Sequence, residues 1–318
     1  MSSIAVIGEA VADAIIQPRT GTRNELNLHV LPGGGPVNTA VALSRLGTST
    51  RFLGRLAGGP IGGLLRQHLS DSHVDLSGSV AATQMPTLAI ASLGTDRQAS
   101  YEFYVDGTAD WQWTSDELAA WDPREAVLLH AGSLALTQQP GATLIADLLR
   151  QARRYATISI DPNVRTSLVP ADFYRQALPR WAGLADILRM SQDDLDVLMP
   201  GVPLQEACLR LHDAGTPLVV VTRGPDGAHA SLRGDPIAVP SQKVAVVDTV
   251  GAGDAFTAGL LHRLHVADAL GGRLESLSTA DLAAAMTFAS TIAAIVCQRT
   301  GADPPWAHEL PRFANTRS

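Results

Sequence analysis

Short apolar runs alternate with amphipathic stretches along almost the whole chain. Runs bounded by turn residues at 3–8, 50–55, 126–131, 156–161, 185–190 and 217–222 have the length and nearly continuous apolar character of buried strands. Between them, apolar positions recur at helical spacing over 36–46, 61–71, 140–154, 172–182 and 203–213. Strand-then-helix alternation requires right-handed crossovers, which build a mainly parallel sheet with helices on both faces. The pattern predicts one large α/β body. Ligands on such sheets bind beyond the carboxyl ends of the strands, so the loops that follow strands are where chemistry is expected.

Two segments break the rhythm. Residues 14–32 carry no helical pattern and are punctuated by Pro18, Gly21 and Pro32. Residues 86–105 read as two strands, Thr87 to Leu93 and Ser100 to Val105, around the turn Gly94-Thr95-Asp96. In the second, Tyr101, Phe103 and Val105 alternate with Glu102 and Tyr104, as on a strand with two different faces. Both segments read as a small β excursion. Pattern alone leaves two readings open, an edge hairpin and a lid over a ligand.

Composition narrows the class. Of 318 residues, 46% are hydrophobic and 17% charged, ample for a large buried core. The formal charge of −7 is spread along the chain, and no basic stripe interleaved with aromatics marks a nucleic-acid partner. Cys208 and Cys297 lie at no metal-ligand spacing and read as two thiols of a reducing compartment. Ser3 to Gly8 reads as a buried strand rather than a signal sequence, and the apolar stretch Phe288 to Cys297 is too short to span a bilayer. A soluble cytoplasmic protein without a membrane partner is the expectation.

The most informative stretch is Asp248-Thr249-Val250-Gly251-Ala252-Gly253-Asp254-Ala255-Phe256. Lys243 to Val247 reads as a strand before it; Phe256, Leu260, Leu261 and Leu264 recur at helical spacing after it. Small residues at a helix N-terminus let backbone N–H groups approach an anion, and the helix dipole adds positive potential. Asp254, in the first turn, is expected to be ionised there and able to accept a proton. A plain helix cap and chain turn fits the same residues. At the other end, Leu31 to Ala40 contains Gly33-Gly34-Gly35 before Pro36 and Asn38, again a glycine-rich approach to a helix, with Gly47 past its end.

Together these two motifs resemble those of the ribokinase-like (PfkB) carbohydrate kinases, and the resemblance covers essentially the whole chain. It implies a three-layer α/β/α fold with a mainly parallel central sheet and a small β lid. Residues 14–32 and 86–105 would form the lid, with 1–13, 33–85 and 106–318 as the body. It implies Asp254 as catalytic base and Gly251, Ala252 and Gly253 as the anion hole, with Arg165 holding charge. Asp13, Gly34, Gly35, Asn38, Phe103 and Arg165 would contact the sugar. Thr222, Gly224 and Gly227, with Gly251 and Gly253, would line the nucleotide. Asp194 and Asn163 are candidates to reach Mg²⁺ through water, although Ser191-Gln192-Asp193-Asp194 stands where relatives have Asn-x-x-Glu. The loop Arg299 to Pro304 resembles one that bounds the adenine pocket and, in some relatives, a K⁺ site.

The implied reaction is transfer of the γ-phosphoryl of ATP to a primary sugar hydroxyl. Gly8-Glu9-Ala10, the glycines before Asn38, Tyr101 to Tyr104 and Asp161-Pro162-Asn163-Val164-Arg165 look most like fructokinases. A 2-dehydro-3-deoxygluconate kinase is the near alternative, because Arg165 also suits a carboxylate; a ribokinase-type enzyme ranks lower. From another class, a catalytically silent sugar-binding regulator on the same fold is opposed by the intact Asp254 motif. A homodimer through the lid is a further expectation. No P-loop, protein-kinase set or dinucleotide fingerprint occurs.

Overall fold

The computed structural model describes residues 3–17, 24–93 and 99–310. Strands β1 (Ser3–Ile7), β2 (Val11–Ile16) and β3 (Leu28–Gly33) lead into α1 (Gly35–Arg45). Then come β4 (Thr50–Leu53), β5 (Arg55–Ala57), α2 (Gly59–Asp71), β6 (Val80–Ala82), β7 (Leu88–Leu93) and β8 (Ala99–Tyr104). The middle of the chain holds α3 (Ser115–Ala119), β9 (Ala126–Gly132), α4 (Gly141–Ala152), β10 (Thr157–Asp161) and α5 (Ala171–Leu184). It continues through β11 (Ile187–Ser191), α6 (Gln192–Leu198), α7 (Leu204–Asp213) and β12 (Leu218–Thr222). Last are β13 (Ala228–Leu232), β14 (Asp235–Val239), α8 (Ala252–Val266) and α9 (Thr279–Cys297).

An eight-stranded sheet runs in the order β14-β13-β12-β11-β10-β9-β1-β4. From β4 to β12 the neighbours are parallel, and β13 and β14 close the far edge as an antiparallel hairpin. The two-residue period of the buried strands sends Ala5 and Ile7 into one core and Ile4 and Val6 into the other. Helices α4, α5, α6 and α7 cover the first core; α1, α2, α8 and α9 cover the second. This is the three-layer α/β/α arrangement that the sequence implies, and it brings the ends of β1, β9, β10, β11 and β12 to one edge.

A separate four-stranded sheet has the order β3-β2-β7-β8. Register places Leu31, Asp13, Ala89 and Phe103 in one row across it, so their side chains share a face. Strand β2 begins at Val11, ahead of the expected boundary, so Asp13 stands within this small sheet rather than on the body. The expected turn 94–96, and Pro18 and Gly21, lie outside the described residues.

Two expectations differ from the structure, and one hairpin lay outside them. Lys243 to Val247 is not a strand: it finds no sheet edge, and the N–H groups of Val247 and Asp248 donate instead to Cys297 O at the end of α9. The β13–β14 hairpin escapes the pattern because its turn is Arg233-Gly234 rather than Asn-Gly, although both residues take the positive φ that such a turn requires (51° and 99°). The apolar stretch before Cys297 belongs to the 19-residue α9, which by length and composition alone is long enough to cross a membrane. That helix lies against α8 and the β13–β14 hairpin, and half of its apolar window is buried inside the protein.

Candidate active site

The first turn of α8 supplies the centre. Gly251 is its N-cap in the left-handed conformation (φ 76°), and a Cβ there would stand 2.5 Å from Ala302 Cβ, so glycine is required on both counts. The Ala252 N–H donates to Thr249 O at 3.2 Å, which removes it from the anion-facing set that the motif implies. The Gly253 and Asp254 N–H groups precede any intrahelical acceptor, and no backbone acceptor for them is found among the described residues. An anion bound here would meet those amides and the dipole of the 15-residue helix behind them.

Asp254 accepts a 2.9 Å hydrogen bond from Asn38 Nδ2, so α1 holds the carboxylate that α8 presents. The amide donor expected to meet a sugar hydroxyl is thus already committed to Asp254. Asp254 lines a small cavity together with Gly35, Pro36, Thr39, His130, Ser133, Asp161 and Asn163. Gly35 is placed so that a Cβ would lie 2.9 Å from Asn163 Nδ2 and 3.2 Å from Asp254 Oδ1. Asn163 takes a positive φ of 42°, and its N–H donates to Asp161 Oδ1 at 3.2 Å. Burial pushes Asp254 up to about 6; the Asn38 hydrogen bond opposes this, Asp161 adds to it, and Arg189 and Arg165 oppose it. Dipole and amides alone suggest a lower value, but desolvation outweighs them. At neutral pH the ionised form still predominates.

Arg165 is exposed, with Nη1 on Val164 O at 3.1 Å and its N–H on the Tyr174 hydroxyl at 3.0 Å. Its charge acts on both Asp254 and Asp13. Asp13 is also pushed up to about 6 by burial, with Arg165 opposing. Gly33 leaves the room for it, since a Cβ there would fall 2.1 Å from Asp13 Oδ2. Gly34 takes φ 102° at the α1 N-cap, tight against Glu9 O. The Arg165 charge thus favours ionisation of both Asp13 of the small sheet and Asp254 of the body. Phe103 lies in the Asp13 row, two strands away.

A family comparison joins this geometry. Residues 1–309 match the pfkB family of carbohydrate kinases. The chain belongs to that family. It is 36% identical over 267 residues to the fructokinase of Rhizobium leguminosarum bv. trifolii, covering 82% of this chain and 79% of the relative. Among solved structures it is similar to ATP-bound fructokinase from Xylella fastidiosa, with a TM-score of 0.86, 26% identity and coverage of 94% and 93%. It is also similar to Vibrio cholerae O395 fructokinase bound to fructose, ADP and calcium ion, with a TM-score of 0.81, 28% identity and coverage of 95% and 94%. The fold is accordingly that of the ribokinase-like sugar kinases.

Within this pfkB-family chain, the remaining motif residues also have local structural partners. Thr222, at the end of β12, accepts from Arg189 Nη2 at 2.8 Å. Gly224 (φ 51°) turns the exposed loop after it. Gly227, buried just before β13, takes φ 87°, and a Cβ there would strike Val239 O at 2.1 Å. Asp194 closes a capping box on α6: its Oδ2 accepts from the Ser191 N–H and hydroxyl at 2.9 and 2.7 Å, and its Oδ1 from the Val164 N–H at 2.9 Å. Asp194 thus caps α6 and ties it to the loop after β10. No cluster of His, Cys, Asp and Glu fit to hold a metal occurs among the described residues.

Two features escaped the sequence reading. Arg189, on β11, is buried and forms a 2.8 Å ion pair with Asp161. Its signal was a charge inside the otherwise apolar run Ile187 to Met190. Glu9 is buried and accepts from the Ala135 N–H at 3.1 Å and from Ser133, a residue with φ 59°. Close by, Asp110 accepts from the Ala10 N–H at 2.8 Å and the Thr87 hydroxyl at 2.6 Å, joining the starts of β2 and β7.

Proposed function

We propose that this chain is an ATP-dependent fructokinase that transfers the γ-phosphoryl group to a primary hydroxyl of fructose. The observation that carries the reading is Asp254, held by Asn38 at the cavity edge in the same helical turn as the unpaired Gly253 amide. In the proposed reaction Asp254 takes the hydroxyl proton as the O–P bond forms, and ADP leaves with the electrons of the broken bond. The first-turn amides and the α8 dipole stabilise charge on the transferring oxygens. Arg165 adds positive charge where the phosphoryl group and the sugar meet, and Asp13 accepts hydrogen bonds from sugar hydroxyls. Gly34 and Gly35 let the backbone approach the sugar, and Phe103 contributes an apolar wall. Thr222 and Gly224 lie on the nucleotide side of the sheet edge.

Mg²⁺ enters this reading as the counter-ion of ATP, because phosphates and waters supply most of its ligands in such sites. K⁺ enters through the resemblance of the loop Arg299 to Pro304. Residues 14–32 and 86–105 act as the lid that excludes water from the transfer. A homodimer through that lid is supported by Leu28 and Tyr104, which are 39% and 50% exposed on the face opposite Asp13. A soluble cytoplasmic protein completes the reading.

Asp254→Asn tests it. The variant keeps the shape and loses the base, so sugar-dependent ADP release should fall by roughly a hundredfold or more while fructose binding by calorimetry persists. Undiminished turnover would exclude Asp254 as the base. The exposed Arg165 favours one second reading, an acidic sugar such as 2-dehydro-3-deoxygluconate; the same assay run with both acceptors separates the two.

A further inference from the structure

The Arg189 side chain crosses the ends of neighbouring strands. Nη1 donates to Asp161 Oδ2 of β10 at 2.8 Å and Nη2 to Thr222 Oγ1 of β12 at 2.8 Å. Its Cζ lies 5.9 Å from the centre of the Phe256 ring on α8. A Cβ on Gly253 would stand 3.0 Å from both Nη atoms, so the absence of a side chain at Gly253 is what admits the guanidinium beneath the first turn of α8. Nε is buried without a partner. A cation in such a place is sustained only by compensating charge and hydrogen bonds.

The compensation is not local to one pair. Asp161 lines the same cavity as Asp254, and its charge works against ionisation of Asp254. The groups that face Asp254 are Asn38 from α1, Asp161 from β10, Arg189 from β11 and Arg165 from the loop after β10. His130, from β9, lines the cavity too, but burial pushes it down to about 3 with Arg189 adding, so it is neutral. Asp194 of α6 acts on Arg189 rather than lining the cavity. Of the two cations, Arg165 is exposed and screened by water, whereas Arg189 is buried and fixed by hydrogen bonds at both ends.

We propose that Arg189 is a positioning residue for phosphoryl transfer: by pairing with Asp161 and lying beneath Gly253, it neutralises the rival carboxylate and keeps Asp254 in its charged, proton-accepting form. The proposal rests on Asp254 being the base. Removing the cation disfavours the charged carboxylate, so the acid side of the activity profile must move to higher pH. Removing Asp161 must move it the other way.

The test measures kcat/KM against pH for wild type, Arg189→Met, Arg189→Lys and Asp161→Asn, with thermal melts alongside. In parallel, the ¹³C carboxyl titration of Asp254 is followed, assigned by its loss in Asp254→Asn. Wild type should reach half its plateau near pH 6. Arg189→Met should move that midpoint up by about one pH unit or more, equivalent to roughly a tenfold loss on the acid side. Arg189→Lys should keep the midpoint near wild type while lowering kcat, and Asp161→Asn should move the midpoint down. If Arg189→Met does not fold, Arg189→Lys and Asp161→Asn still decide the matter. A midpoint and a carboxyl titration that stay at the wild-type pH in the charge-removing variants would overturn the proposal, whatever happens to kcat. Because the carboxyl titration does not depend on turnover, it separates this failure from that of the kinase reading, which shows instead as an Asp254→Asn variant of full activity.

Discussion

Gly35→Ala adds a single methyl group beside the reacting centre. Gly35 opens α1 and does not take a positive φ, so alanine meets no backbone strain there. Its Cβ would stand 2.9 Å from Asn163 Nδ2 and 3.2 Å from Asp254 Oδ1. Comfortable non-bonded separations are about 3.5 Å or more, so the two side chains must together yield several tenths of an ångström. Replacing glycine at a compatible position stabilises by roughly 0.4–1 kcal/mol through the unfolded chain, and the crowding costs a similar or somewhat larger amount. The net effect on stability should be small. The effect on catalysis should not be, because a misplacement approaching 1 Å costs about a hundredfold. Steady-state ADP release at saturating fructose and MgATP should show kcat reduced roughly ten- to a hundredfold, with a melting temperature within a few degrees of wild type. A kcat within about twofold of wild type and an unchanged melt would refute the placement of Asp254 and Asn163 against this helix.

Glu9→Gln should flatten the pH dependence of stability. Burial pushes Glu9 from 4.5 up to about 7, with Ser133 and its own and the Ala135 backbone N–H groups opposing and Asp110 adding. The folded protein therefore holds this proton more tightly than the unfolded chain, and stability falls as pH rises from about 4.5 through 7. Denaturant midpoints at pH 5 and pH 8 should differ less in the variant than in wild type; an equal difference would contradict the assignment. Gly227→Ala should destabilise by about 2 kcal/mol or more, because φ is +87° and the new Cβ meets Val239 O at 2.1 Å. The KM for ATP of the folded fraction separates a purely steric role, which leaves it unchanged, from a nucleotide contact at Gly227, which raises it.

Much of the body was legible because its strands are buried on both faces. The runs ending at Ile7, Ala131, Asp161 and Thr222 need no distant partner to declare themselves. The Gly251 to Asp254 turn was legible as a small-residue helix start, and only the second motif before Asn38 set it apart from a plain cap. The partnerships were not. Asn38 and Asp254 are 216 residues apart, and nothing local to either says that an amide donor meets the carboxylate. Arg189 finds Asp161 28 residues away and Thr222 33 residues away, once parallel strands bring their ends together. Ser191 to Asp194 looked like an altered ligand set, whereas a capping box satisfies the same residues without any ion. The Lys243 to Val247 segment shows that strand propensity is realised only beside an open sheet edge.

Asp13 lies in the four-stranded sheet and Asp254 in the first turn of α8, and the charge of the exposed Arg165 acts on both. In the proposed reaction, a hexose gripping both carboxylates would serve as a fastener between two parts of the molecule as well as the acceptor. An analogue stripped of the hydroxyls meant for Asp13 should forfeit speed along with affinity, since binding energy gained there is spent on holding the reacting geometry.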